Sequence, residues 1–319
     1  MNSEDGELSM QDRVNKITKV VSERDNAKML EVEEELSMEH WDEHGAYDYV
    51  GDYKDFDRYG AVGDVEGVTL GFEIECEYRH ETLDYEEYDE EDEDECYIRD
   101  RNIDASESDA LAAISRSMNK GYVLAERDGS LDDSGVEFVT GYCTWESHKP
   151  RLQRFFEEYK KDFEDSRSAG IHIHVGRNRF TEDLVWHHFY WFILCDQNEP
   201  LIAHVARRYG CTYVHANRTY NRGGEIRGEG RYDGVNRRDY TWELRLFAST
   251  TDWTVMQEYA EFSLASVKFL IQNKSEISEW MLTNNTDFSA SPLNYRRFIE
   301  WVSTQAASFP NLNKHLERM

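Results

Sequence analysis

Positive charge is what this chain has least of: 36 Lys and Arg stand against 65 Asp and Glu in 319 residues, a formal net charge of -29. Nucleic acid and an anionic membrane surface would both repel such a chain, so neither is expected as its partner. It opens with no basic segment followed by an apolar run, and no uninterrupted apolar stretch reaches the roughly 18 residues of a membrane span. Cysteine is sparse as well. Cys76, Cys96, Cys143, Cys195 and Cys211 are odd in number, scattered and never paired as Cys-x-x-Cys. That pattern argues against a disulfide framework or a zinc ribbon and for a reducing, cytoplasmic setting. Equally missing are a Walker A loop, a dinucleotide fingerprint and a recognisable Ser or Cys elbow, so chemistry built on a covalent Ser or Cys nucleophile has no visible seat.

What the chain does have is length and patterned strands. A chain this long buries roughly 75% of its unfolded surface, enough for a large core. Residues 1–66 are acidic and polar, with Val14, Ile17, Val20 and Val21 and then Met29, Leu30, Val32 and Leu36 at helical spacing, and an Asp/Tyr/Gly-rich connector follows. We expect an N-terminal arm there and a separate folded domain over 67–319. Ten of the twelve residues from Asp84 to Glu95 are acidic, a density that favours a solvated loop insertion. Removing those ten from the net charge of -29 still leaves -19, so the acidity is global.

The segment Ile171-His172-Ile173-His174-Val175 alternates β-branched residues with histidine. As a strand it sets both imidazoles on one face. Three other segments share the design with acids. Glu73, Glu75 and Glu77 alternate with Phe72, Ile74, Cys76 and Tyr78; Glu137 sits between Val136 and Phe138; and Glu243, Arg245 and Phe247 alternate with Trp242, Leu244 and Leu246. Like charges crowded on one face repel unless something positive sits between them, and a divalent cation is the economical answer. A solvated outer sheet face would show the same alternation.

Helices are expected around these strands. One starts at Ser106 with Asp109 as capping partner and ends before Gly121. Another starts at Pro150 and carries Leu152, Phe155, Phe156, Tyr159 and Phe163. An aromatic helix runs from Leu184 to about Asn198 behind a Thr181 N-cap, with His187 and His188 as core or edge residues. A further helix restarts at Pro200, and two more run from Thr251 or Asp252 to about Asn273 and from Ser291-Pro292 to about Ser308.

Between Arg207 and Arg245 the charge inverts: nine arginines, no lysine and five acids. Arginine's planar fork grips phosphate or carboxylate bidentately where lysine offers a point charge, so this arginine island as a whole reads as a candidate for holding an anionic ligand. Neutralisation of the acidic remainder is the competing use. Five glycines between Arg222 and Gly234 suit a loop that closes over a ligand.

Taken together, Gly71-Phe72-Glu73-Ile74-Glu75, Asp128-Gly129-Ser130-Leu131 with Gly135-Val136-Glu137-Phe138-Val139, Ala169 to Val175, and Arg231 to Phe247 resemble, in order, the motifs of the amidoligases. These are ATP-dependent carboxylate-amine ligases of the glutamine synthetase and glutamate-cysteine ligase fold. The resemblance spans about residues 68 to 250. It implies an α+β fold in which a curved antiparallel sheet turns a concave polar face to ATP and divalent cations, with helices packed behind. It further implies that Glu73, His172 and Glu243 hold one Mg2+ or Mn2+ and that Glu75 and Glu137 hold a second, with Glu126 or Asp128 as further candidates. His174, Arg237 or Arg238, and Arg245 would then act on the transferring phosphoryl group, with Arg218, Arg231, Arg238 and Arg245 binding ATP.

The implied reaction joins a small-molecule or peptide carboxylate to an amine through an acyl phosphate. Two other readings use the same residues: a metallohydrolase, and a non-catalytic assembly protein whose acidic arm or loop meets a basic partner, with self-association open to either.

Overall fold

The computed structural model describes residues 67–79, 106, 108–117, 122–126, 131, 135–178, 180–208, 234–238, 240–283 and 288–319. The expected N-terminal arm, the acidic loop 84–95, the glycine-rich stretch, Asp128, Arg218 and Arg231 lie outside the described residues. What is described is a mixed α and β architecture built on an antiparallel sheet.

One strand is the hub. β1 (Thr69–Tyr78) pairs on one side with β3 (Gly135–Thr140) and the short β4 (Cys143–Thr144), and on the other with β6 (Gly170–Gly176) and the short β5 (Phe163–Glu164). The sheet order is β2-β3-β1-β6-β8-β7, with β2 (Val123–Glu126), β7 (Val235–Arg237) and β8 (Thr241–Ala248) completing it, every pairing antiparallel. Period two turns Phe72, Ile74 and Cys76 of β1, Val136 and Phe138 of β3, and Ile171, Ile173 and Val175 of β6 into a buried apolar face.

Helices cover that face. The spine is α4 (Trp253–Gln272), whose start is fixed as expected: Asp252 accepts a hydrogen bond from the Thr254 backbone N–H at 2.7 Å. Tyr259 of α4 stacks on Phe247 of β8 at 4.5 Å between ring centroids. α1 (Trp145–Tyr159) lays Phe155 against Phe138 at 4.8 Å, and its last residue, Tyr159, donates a hydrogen bond to the Thr250 carbonyl at 2.6 Å. α2 (Trp186–Leu194), α3 (Glu199–Ala206), α5 (Lys274–Leu282), α6 (Tyr295–Thr304) and α7 (Pro310–Leu316) complete the described helices, beside a helical stretch over 108–116. No described helix is long and apolar enough to cross a membrane.

Several boundaries differ from the sequence expectation for identifiable reasons. α1 begins at Trp145, not Pro150, because buried Trp145 and His148 belong to the same helical stripe as Leu152, Phe155 and Tyr159. Pro150 is carried inside the helix, where it removes only one backbone donor. Phe163 leaves that helix: the chain turns after Tyr159, with Asp162 N–H donating to the Tyr159 carbonyl at 3.1 Å, and Phe163 pairs as β5 with Tyr78. The aromatic helix starts only at Trp186, because Thr181 instead closes a preceding turn, its hydroxyl donating to the Gly176 carbonyl at 2.8 Å and accepting from the Asn178 N–H; it ends at Leu194, where Cys195 turns extended. The last expected helix is shorter, running as α6 from its Asn294 cap at the Arg296 N–H (2.9 Å) to Thr304, and α7 beyond it was not expected. In β8 the register slips between Ile171 and Ile173 of β6, a β-bulge that returns Phe247 to the core instead of leaving it beside Glu243 and Arg245.

His148 ties α1 to the sheet. It is fully buried, its Nε2 lies 2.7 Å from the Leu70 carbonyl, and its Nδ1 faces the Tyr122 hydroxyl. A neutral ring serves both, donating to Leu70 and accepting from Tyr122. Burial pushes its pKa down from 6.5 to about 3. The unfolded chain therefore binds a proton that the folded chain refuses, and stability present above pH 6.5 is lost as pH falls toward about 3. The full loss is on the order of 5 kcal/mol. Urea unfolding across that window should show a His148→Gln variant less stable at pH 7 but with a shallower acid slope than the wild type; an unchanged slope would show that other groups carry it.

Candidate functional site

The polar face of the sheet gathers the residues that the sequence alternation singled out. Strand register sets Glu73 of β1 opposite His172 of β6, Glu75 opposite Glu137 of β3, and His174 opposite Glu243 of β8. Three consecutive pairings thus join four strands into one site. Glu75 (3% exposed) and Glu243 (1% exposed) are buried carboxylates, a costly arrangement unless each is paired.

The histidines supply part of that pairing. His172 Nδ1 lies 2.9 Å from Glu73 Oε2 and its Nε2 lies 3.3 Å from Glu75 Oε1. His174 Nε2 lies 3.0 Å from Glu73 Oε1, and its Nδ1 is 3.1 Å from the Thr241 hydroxyl. A neutral imidazole carries one N–H, so His172 cannot donate to two carboxylates at once. Either a second proton or a cation has to stand between one of its nitrogens and a carboxylate. Burial alone would raise the pKa of Glu73, but the positive field of His174 and hydrogen bonds from His172 and His174 hold it well below the usual carboxylate range.

Guanidinium groups supply the rest. Arg238 Nε and Arg245 Nη1 each reach a different oxygen of Glu243 at 2.7 Å. Burial would raise the Glu243 pKa, yet His174 and Arg245 bring it down overall, while burial's pull on Arg245 is outweighed by Glu243, which lifts the guanidinium above its ordinary value. Glu75 is anchored differently, accepting the Gly170 backbone N–H at 2.5 Å. Glu77, expected on the same face, is drawn aside by the Ser166 and Ser168 hydroxyls, the latter at 2.6 Å.

Two groups of donor atoms result. Glu73, His172 and Glu243 bring one atom each within 4.8 Å of one another, and so do Glu75, Glu137 and His172. The donor set is mostly carboxylate oxygen with one shared imidazole, which suits hard divalent cations better than a structural zinc. Four carboxylates against two guanidiniums leave a local charge of -2 before the imidazoles are counted, and a cation would take the unmatched lone pair at His172. The residues present therefore fit a bound Mg2+ or Mn2+.

Not every expected residue arrives here. Arg237 pairs with Trp242, and strand alternation sets both on the face opposite Glu243 and Arg238. Its exposed side chain lines a separate cleft, so it has no place at this site. Asn236, opposite Glu243, and Thr241 were not expected at the site; the first precedes Arg238 by two residues on β7 and could have been found by extending the alternation. Gly71, opposite His174, allows Tyr142 to approach: a Cβ there would sit 2.6 Å from the ring, which meets the imidazole edge-on at 6.2 Å.

No protein-family model and no curated protein matches this chain. Among solved structures it is distantly similar to one described as a novel glutamine synthase homologue, with 12% identity, a TM-score of 0.37, and 78% of this chain and 63% of the other covered. It is also similar to ligand-free GmaS (14% identity, TM-score 0.39) and to a GmaS/ADP complex (12%, 0.36), in both cases over 78% of this chain and 66% of the other. The chain thus spans just under two thirds of the length of these neighbours.

The Glu243–Arg245 contact is testable apart from any ligand. In chelator-containing buffer, a double-mutant cycle of Glu243→Gln and Arg245→Met, followed by urea unfolding, should give a coupling of about 1–3 kcal/mol, because Arg245→Met leaves a buried carboxylate short of a partner. Additive effects would mean that the pair contributes nothing net.

Proposed function

We propose that this chain is an ATP- and divalent-cation-dependent carboxylate-amine ligase of the amidoligase type. The observation that carries the reading is the shared histidine: two carboxylate triads meet at His172, with the guanidiniums of Arg238 and Arg245 beside them. In this reading Glu73, His172 and Glu243 hold one Mg2+ or Mn2+, and Glu75 and Glu137 hold the other, with His172 free to donate its N–H toward that second pair. Bound there, the cations would neutralise phosphate oxygens and leave the γ-phosphoryl group open to attack.

The chain's own residues do the positioning. Arg238 and Arg245 each spend part of a five-donor fork on Glu243, leaving N–H groups for phosphate oxygens. His174, held by Thr241, stands beside Glu73 and adds a donor at the same face. Arg218 and Arg231 are assigned to ATP on the sequence pattern alone. A substrate carboxylate takes the γ-phosphoryl group as ADP leaves. An amine then attacks the acyl carbon, phosphate departs, the amine loses a proton, and an amide bond has formed. Such orientation and charge stabilisation together supply on the order of ten kcal/mol, and no covalent nucleophile from the chain is needed. The carboxylate and amine are small molecules or peptide groups, and the setting is cytoplasmic.

Calorimetry of ATP with and without Mg2+ or Mn2+ tests the reading. Wild type should bind ATP only with the cation, and Glu73→Ala and His172→Ala should each weaken that binding at least tenfold while remaining folded. Absence of ATP binding under every cation condition would overturn the ligase reading in favour of a hydrolase or an assembly role.

A further inference from the structure

Arg207 and Arg208 open the stretch in which the charge inverts, and the ligase reading gives neither a role. They follow α3 directly and part at once. Arg207 is, among the described residues, the only non-glycine with a positive φ, at 57°. That left-handed conformation is uncommon for a residue with a Cβ and persists only where its surroundings hold it.

Arg207 is held on the helical side. Its Nη2 lies 2.6 Å from Glu258 Oε2 of α4 and 3.4 Å from His315 Nδ1 of α7, and its guanidinium lies over the Tyr259 ring, 5.5 Å from the centroid. The turn at Arg207 sends the next side chain to the sheet. Arg208 Nη2 donates to the Ser168 carbonyl at 2.7 Å. Arg208 Nη1 fills the space that a side chain at Gly170 would need, since a Cβ there would sit 1.7 Å from it. Strand alternation puts that space on the face that carries His172 and His174.

These two Arg208 contacts bracket one backbone amide. The Gly170 N–H donates to Glu75 Oε2 at 2.5 Å, which leaves Glu75 Oε1 toward His172 Nε2 at 3.3 Å. The main chain of Glu75 is fixed separately, by its pairing with Glu137 and by the Ser249 hydroxyl, which donates to the Glu75 carbonyl at 2.7 Å. What the Gly170 amide sets is therefore the direction of the carboxylate itself.

We propose that Arg208 is a positioning residue for Glu75. By gripping the chain at Ser168 and filling the space over Gly170, it aims the Gly170 N–H at one carboxylate oxygen and so fixes how the other is presented beside Glu137. In this role it acts through the backbone amide, not on a substrate. The proposal takes from the ligase reading only that Glu75 and Glu137 hold a cation.

Ala169-Gly170 is the only Ala-Gly step in the sequence, so carbonyl-13C alanine combined with 15N glycine isolates the Gly170 amide in the full-length chain. In chelator-containing buffer, exchange of that amide proton should be at least tenfold faster in Arg208→Met, and also in Glu75→Ala, which removes the acceptor. Arg208→Lys keeps a donor for the Ser168 carbonyl and should stay within about threefold of wild type. Mn2+ titration followed by electron paramagnetic resonance supplies a second readout. Arg208→Met should weaken one of two Mn2+ at least tenfold, whereas adding it to Glu137→Ala should leave the remaining Mn2+ within about twofold. General loosening of the fold would not produce that split. Unchanged exchange in Arg208→Met or in Glu75→Ala, equal acceleration by Met and Lys, or weakening of both Mn2+ alike would each overturn the proposal. The exchange measurement needs no cation, so it decides the role of Arg208 even where a wild type without bound Mn2+ refutes the cation reading.

Discussion

Crowding carboxylates onto one face of a sheet is the constraint that the rest of this structure answers. Glu73, Glu75, Glu137 and Glu243 come from three strands and converge around His172. At spacings of a few ångström in a partly dry environment, their mutual repulsion would be worth several kcal/mol. Three of the four are met by named partners: imidazoles at Glu73, a backbone N–H at Glu75, two guanidiniums at Glu243. The scheme still leaves negative charge unmatched. A cleanly neutralised sheet face would have needed no further ion, whereas this one has room for one on charge alone.

The apolar side of the same strands makes that crowding tolerable. β1 is fixed by four neighbouring strands, and its buried Phe72, Ile74 and Cys76 lock the register, since a one-residue slip would carry three glutamates into the core. The aromatic contacts of α1 and α4, with Phe138 against Phe155 and Phe247 on Tyr259, hold the outer strands to the same frame. Rigid backing is what a site needs when its donor atoms must stay within a few ångström without strain.

Much of the polar face was legible because a strand's side-chain period depends only on residue order. Glu73-x-Glu75, Glu137, His172-x-His174 and Glu243-x-Arg245 all declare a face in that way, and the structure assembles all four. Phase and partnership are different matters. Arg237 and Arg238 are indistinguishable in the sequence; only pairing of β7 with β8 decides that Arg238 reaches Glu243 while Arg237 turns to the other face. The bulge that sends Phe247 to the core, and the two-residue strands β4 and β5, arise from contacts with distant residues and carry no local signal. Pro150 misled for a similar reason: a proline reads as a helix start, yet buried Trp145 and His148 extend the helix backward past it.

The central claim is that the carboxylate face holds two cation positions, one of them through the His172 imidazole, and counting bound Mn2+ by electron paramagnetic resonance tests it most directly. The account predicts two Mn2+ per wild-type chain, one after Glu137→Ala, and one after His172→Ala. No Mn2+ bound at millimolar concentration, or full occupancy retained in His172→Ala, would contradict it.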